Sequence, residues 1–217
     1  AEAFNHALER LEQAFEMQGR FVADASHEMR TPLATMRTNL EVIQQDSNAT
    51  LSDYKEMSVT LVRTVDRLER LSNDLLLLAR GELEVHKAPV NIGALLTEVV
   101  QNLMPFAKEN HVVVYMKVQE EAVVLADERL LGLAFGNLID NGIRYNRSGG
   151  SVDITAFDVN NELTVQIQDT GEGIPSDELT RIFDRFYRVE KSRARNRGGA
   201  GLGLAICEHI IKLHGGH

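Results

Sequence analysis

The sequence predicts an α + α/β protein: a long antiparallel helical hairpin, then a mixed helix-and-strand domain. Three observations carry that expectation. Between Phe4 and Leu78 apolar residues recur at steps of three and four, with one break near Asp46. Past residue 90 the repeat gives way to short alternating runs separated by single helical stretches. Most of the 16 glycines fall after residue 130, in what read as loops. A chain of 217 residues can hold one large or two small domains.

The first helix is written by Phe4, Leu8, Leu11, Phe15, Val22, Ala25, Met29, Met36 and Ile43. That is the 3.5-residue seam of a coiled coil or bundle, with Gln18 as a polar exception. Asp46-Ser47-Asn48 supplies turn chemistry at its end. A second helix restarts near Ser52, read as its N-cap. It carries Tyr54, Met57, Leu61, Thr64, Leu68, Leu71, Leu75 and Leu78 in the same repeat and stops at Gly81. Two such helices bury only one stripe each. Pairing with a second copy into a four-helix bundle is the natural solution.

Residues 81–90 break the pattern around Pro89 and read as a linker, with Ala88 and Pro89 near a hinge. Beyond it, Ile92 to Leu103 is helical, His111 to Val118 alternates as a strand, and Ala122 to Leu125 is a short strand. Glu128 to Tyr145 is a helix. Val152 to Val159 and Leu163 to Gln168 form a hairpin turned at Asn160-Asn161. A helix over Ser176 to Phe183 follows, then a basic loop over residues 184–199, and a last helix from Leu202 to Leu213.

Composition excludes several classes. No apolar run approaches the roughly 18 residues of a membrane span. The single Cys207 rules out an internal disulfide, which suits a reducing compartment, and its apolar setting suits core packing. A net charge of −9 argues against nucleic acid as a partner. The chain opens inside a helical pattern without an initiator Met, as a segment of a longer protein would.

Chemistry concentrates first at Phe21 to Leu33, FVADASHEMRTPL. At about 100° per residue His27 lies roughly 200° from Ala25 and 160° from Met29, so it leaves the seam and faces outward. An ordinary surface histidine is the plain alternative. The working reading is imidazole attack on a phosphoryl group, which needs the neutral ring. Glu28 is placed to hold the ring tautomer, and Thr31, at i+4, to orient a water. Pro32 costs a helical hydrogen bond and tends to bend the helix.

Downstream, Asn137 and Asn141 sit one turn apart in FGNLIDNGIRYN, where two amide oxygens can serve Mg²⁺ or its waters. Arg144 can meet phosphate and Tyr145 continues the stripe. In DTGEGIP, Asp169 ends a strand and can accept from an adenine amino group, while Gly171 and Gly173 let backbone approach a flat base. In GGAGLGLAI, Gly199, Gly201 and Gly203 precede a helix and offer N–H groups to phosphate. Neither a P-loop nor a dinucleotide fingerprint is present.

FVADASHEMRTPLATM resembles the phosphoacceptor box of sensor histidine kinases of two-component systems. The order asparagine box, Asp-Gly box, FDRFYRVE and second glycine box resembles their ATP-binding domain, an α/β sandwich fold shared with gyrase, chaperone and mismatch-repair ATPases. The resemblance implies four parts: residues 1–20 as the end of a signalling helix, 21–82 as the dimerisation and phosphotransfer domain, 83–90 as linker, and 91–217 as the catalytic domain. It implies that His27 takes the phosphoryl group of ATP and passes it to an aspartate of a response regulator receiver domain. Glu28 would be the base, and Thr31 would position water for dephosphorylating that partner. Asn141 would ligate Mg²⁺, supported by Asn137. Arg144, Tyr145, Arg188, Gly199, Gly201, Leu202 and Gly203 would face the nucleotide, and Asp169, Gly171 and Gly173 the adenine. Residues 184–199 would be a lid made basic by Arg185, Arg188, Lys191, Arg193, Arg195 and Arg197. The whole would be the cytoplasmic, homodimeric portion of a protein reaching a membrane through other segments.

Two departures stand out. The family usually has threonine where Ala200 stands, which weakens a lid or phosphate contact. It also continues beyond an HGG stretch into two further strands, where this sequence ends at His217. Two rivals stay open at this point: an ATP-gated conformational machine using water as nucleophile, and a non-catalytic dimeric scaffold.

Overall fold

The computed structural model describes residues 2–79, 84–118, 122–159, 162–189 and 199–217. The chain divides into two compact units, Ala1–Ala79 and Arg80–His217.

The first unit is a helical pair, α1 (Glu2–Gln45) and α2 (Leu51–Ala79). Helix α1 continues through Pro32, whose missing N–H leaves the Glu28 carbonyl without its helical partner. At the connection Asp46 Oδ1 accepts from Asn48 N–H at 2.9 Å, closing an Asx turn. Helix α2 starts earlier than expected, and its cap is Thr50, not Ser52. Thr50 Oγ1 accepts from Asp53 N–H at 3.3 Å, and Asp53 Oδ2 accepts from Thr50 N–H at 2.8 Å. That reciprocal pair needs an acceptor three residues on; Thr50 has Asp53, whereas Ser52 has Lys55. Ile43, Leu71, Leu75 and Leu78 of the predicted seam are buried, and Leu77 joins them. Phe4, Leu8, Leu11, Phe15 and Val22 stay exposed, as do Leu33, Leu40, Val62 and Val65 outside that seam. The expected stop at Gly81 lies outside the described residues.

The second unit runs β1 (Ala88–Asn91), α3 (Ile92–Glu109), β2 (Val113–Val118), β3 (Val123–Ala126), α4 (Glu128–Arg144), β4 (Ser151–Val159), β5 (Glu162–Asp169) and α5 (Gly203–Leu213). Strand β1 corrects the linker reading. Residues 88–91 are sheet, paired antiparallel to β3 with Pro89 opposite Leu125, so they belong to the second unit's fold. Proline is tolerated there because β1 has a single neighbour. A second sheet has the order β2-β4-β5, parallel between β2 and β4 and antiparallel between β4 and β5. Asn160 and Asn161 lie outside the described residues; Val159 faces Glu162 on either side of them.

Strand β4 alternates Val152, Ile154 and Ala156 inward. They meet a core to which α4 gives Leu130, Ile139 and Ile143, and α5 gives Leu202, Ile206 and Ile210. Each such side chain contributes about 1.5–3 kcal/mol of burial. The expected helix over 176–183 does not form. Its hydrogen bonds are three-residue turns, Glu178 to Pro175, Arg181 to Glu178 and Asp184 to Arg181. Ile174, Leu179 and Phe183 remain exposed, so no apolar face is buried to hold a helix there.

The start of α4 is clasped from three directions. Asp127 Oδ1 accepts from Leu130 N–H at 3.1 Å as N-cap, and Oδ2 accepts from His86 N–H at 3.2 Å. His214 Nε2 accepts from Asp127 N–H at 3.0 Å, with Nδ1 2.8 Å from the Ile210 carbonyl. Both contacts are satisfied by the neutral ring protonated at Nδ1. Burial raises the Asp127 carboxyl. The N–H bonds from Leu130 and His86, with the charge of nearby Arg129, outweigh that and hold it below the usual range. Helix α4 is thereby fixed to the end of α5.

Candidate functional site

On α1, His27 is exposed, as the helical phase requires. Thr31 Oγ1 donates to the His27 carbonyl at 3.3 Å, and Thr35 Oγ1 repeats the pattern to Thr31 at 3.1 Å. No hydrogen bond joins the Glu28 carboxylate to the His27 ring among the described residues, since successive helical residues do not face each other.

The second unit gathers most of the other sequence-predicted residues around the C-terminal half of α4. Asn137 is half-buried, and its Nδ2 is fully buried without a hydrogen-bond partner among the described residues. Such an atom is costly unless a ligand or water satisfies it. Asn137 lies under the start of α5: a Cβ on Gly203 would stand 3.6 Å from its Cγ. Asn141 follows one turn on, also half-buried. A Cβ on Gly199 would stand 3.8 Å from Tyr145 Oη. The second glycine box therefore meets both ends of the asparagine stripe.

Helix α5 opens at Leu202 with no side-chain cap, leaving its first N–H groups available to an anion. Gly201 is required by its φ of 75° and by crowding, since a Cβ would come within 2.8 Å of the Tyr187 carbonyl oxygen. Phe186 N–H donates to the Gly201 carbonyl at 2.8 Å, drawing FDRFYR against the glycine box. Beside it, burial and then the charges of Arg185 and Lys212 lower His209, keeping the ring neutral near pH 7. Arg188 is half-buried in this segment. The lid residues Lys191, Arg193, Arg195 and Arg197 lie outside the described residues.

Asp169 ends β5, and its Oδ1 accepts from Gly171 N–H at 2.8 Å. Gly171 is packed against Tyr145 so closely that a Cβ would strike the Tyr145 carbonyl, and Glu172 N–H donates to that carbonyl at 3.3 Å. Gly173 takes a φ of 71°. Arg144 is held by Asp140, with bonds of 2.9 and 2.8 Å, and lies 4.9 Å from the Phe106 ring centroid. A phosphate would compete with Asp140 for it. A groove of about 250 Å³ between α3 and α4 reaches only Asn137 of the expected residues. Sequence reasoning missed Asn146 and Thr170, which lock the Asp169 loop to α4; their pairing spans 24 residues and has no local signature.

Comparison with known proteins joins these two sites. Residues 17–84 match the His Kinase A (phospho-acceptor) domain. Residues 126–217 match the Histidine kinase-, DNA gyrase B-, and HSP90-like ATPase family. The signal transduction histidine-protein kinase BaeS of Escherichia coli K12 is 36% identical over 220 residues, covering 100% of this chain and 46% of BaeS. The chain spans about half the length of the curated relatives it matches. ShkA in complex with AMPPNP superposes with a TM-score of 0.64 at 28% identity, over 86% of this chain and 39% of ShkA. ThkA in complex with the response regulator protein TrrA gives a TM-score of 0.71 at 22% identity, over 100% of this chain and 61% of that one, a likeness of fold.

A phosphoacceptor helical module joined to an ATPase-type module is the domain pair of an ATP-dependent protein histidine kinase. The chain belongs to the sensor histidine kinases of two-component systems.

Proposed function

We propose that this chain transfers the γ-phosphoryl group of ATP to His27, giving phosphohistidine and ADP, and then passes it to an aspartate of a response regulator. The observation that carries the reading is the pairing of an exposed histidine on α1 with a second unit whose orphaned Asn137 amide, uncapped α5 N-terminus and Asp169 loop converge on one stripe. Phosphoryl transfer asks a protein for positioning and charge neutralisation more than for covalent help. That fits an acceptor on one unit and a donor on the other.

In this reading the α5 N–H groups cradle phosphate. Asn141 holds Mg²⁺, with Asn137 beside it, and the ion neutralises charge on the phosphates. Tyr145 walls the nucleotide, and Asp169 accepts from the adenine amino group. Arg144 and Arg188 supply positive charge, Arg144 after exchanging Asp140 for phosphate. Glu28 serves as base. Thr31 orients water for removing phosphate from the regulator. Two copies pair through the exposed apolar stripes of α1 and α2, and the whole protein reaches a membrane through other segments. No helix among the described residues is long and apolar enough to cross a membrane.

The test is incubation with γ-labelled ATP and Mg²⁺. Acid-labile, base-stable label on the protein is expected. Free phosphate without protein label would point to an ATP-gated machine, and absence of nucleotide binding to a scaffold.

A further inference from the structure

The loop expected to read the base is held by a network that no local motif announces. Asn146 follows the C-cap of α4 and is buried. Its amide uses all four of its hydrogen-bonding positions. Nδ2 donates to the Gly142 carbonyl at 2.9 Å and to the Ser151 carbonyl at 2.8 Å. Oδ1 accepts from Arg147 N–H at 3.0 Å and from Thr170 Oγ1 at 3.2 Å. The opposite amide orientation would set its oxygen against two carbonyls, so the network also fixes which way the side chain points.

Thr170 completes the lock. Its N–H donates to the Ser151 carbonyl at 3.1 Å, and its Oγ1 accepts from Ser151 N–H at 2.8 Å. The side chain thus extends the β4–β5 ladder one residue past Asp169. Gly150 is required beside them, because a Cβ there would collide with Asn146 Oδ1 and stand 2.7 Å from Thr170 Oγ1. One residue before this lock is Asp169. One residue after it, Gly171 turns tightly against Tyr145. The Asp169 carboxylate is held directly by Gly171 N–H at 2.8 Å, and the loop that places both residues is set from behind, by a hydroxyl and an amide.

We infer that Asn146 and Thr170 are positioning residues for base recognition: their hydrogen bond aims Asp169 at an exocyclic amino group, and so sets both affinity for ATP and preference for adenine over guanine. This rests on the reading of Asp169 as the adenine contact. Guanine presents a carbonyl where adenine presents its amino group, so a well-aimed carboxylate rejects it, and a loosened one discriminates less.

The experiment measures equilibrium binding of ATP and GTP to the full chain, wild type against Thr170→Val and Thr170→Ser, with thermal melting of each. Thr170→Val is nearly isosteric and removes only the hydroxyl. It is expected to weaken ATP binding about five- to tenfold, as loss of a single well-aimed bond from the base to Asp169 would. It should narrow the ATP:GTP ratio while its melting transition stays cooperative, and Thr170→Ser should restore both. In a labelling assay the loss should appear in KM with kcat unchanged. Wild-type affinity and selectivity in Thr170→Val would overturn the clasp alone. Equal losses in the valine and serine variants would overturn it too, by assigning the effect to the methyl group. A wild-type chain without ATP affinity would overturn the nucleotide reading and the clasp together.

Discussion

Asn141 and Asn137 show how much one helical turn decides. Their spacing puts two amides on one stripe of α4, and the structure leaves the deeper amide nitrogen of Asn137 buried and unbonded among the described residues. Asn141→Ala removes the side chain assigned to the metal without touching the core, so labelling from ATP should fall below detection while the oligomeric state is kept. Full labelling in that variant would remove Asn141 from the role. These asparagines were legible because both lie within one local helical period, as was the outward phase of His27. Asn146 and Thr170 were not, because their partners are brought together only by the sheet. Arg144 was expected to meet phosphate, and its pairing with Asp140 one turn away was not read from the sequence.

Among the elements, α2 carries a cost in its own seam. Asp74 lies among the buried Leu71, Leu75 and Leu78. Burial, opposed by Arg70, raises its carboxyl from 3.8 to about 6. A folded-state value above the unfolded one means that the ionised form opposes folding. The cost is full above about pH 6 and fades as pH falls toward 3.8. Asp74→Asn should therefore stabilise the helical unit at pH 8 by about 1–2 kcal/mol, after discounting the linkage value for partial exposure. Urea unfolding at a series of pH values checks this. The gap between variant and wild type should shrink between about pH 7 and pH 4, and a gap independent of pH would contradict it. The long helices were legible because their repeat is sustained. Strand β1 was not, because Pro89 reads as a breaker unless the strand is known to have one neighbour. The stretch from Ser176 to Phe183 failed in the other direction: it has helical composition, but Leu179 and Phe183 stay exposed and only Ile182 is half-buried among its described apolar residues. At the α2 cap, Thr50 and Ser52 are both good capping residues, and only the acid at Asp53 separates them.

At the scale of the whole molecule, the proposed reaction assigns the acceptor to one unit and the nucleotide to the other. The first presents apolar stripes at Leu33, Leu40, Val62 and Val65 that a single hairpin cannot cover. Light scattering at micromolar concentration should return twice the chain mass, and a monomer would contradict the paired bundle. The residues of the glycine and asparagine boxes all belong to the second unit, and His27 to the first. The second unit's ATP affinity and the acceptor chemistry of His27 are therefore separable properties. In the proposed reaction the phosphoryl group ends on the His27 imidazole. This is tested most directly by incubating wild type and His27→Gln with γ-labelled ATP and Mg²⁺, and following protein-bound label through acid and base. Acid-labile, base-stable label is expected on wild type alone, with ATP binding equal in both proteins. Equal label on His27→Gln, or a wild type that binds ATP and never carries label, would contradict that transfer.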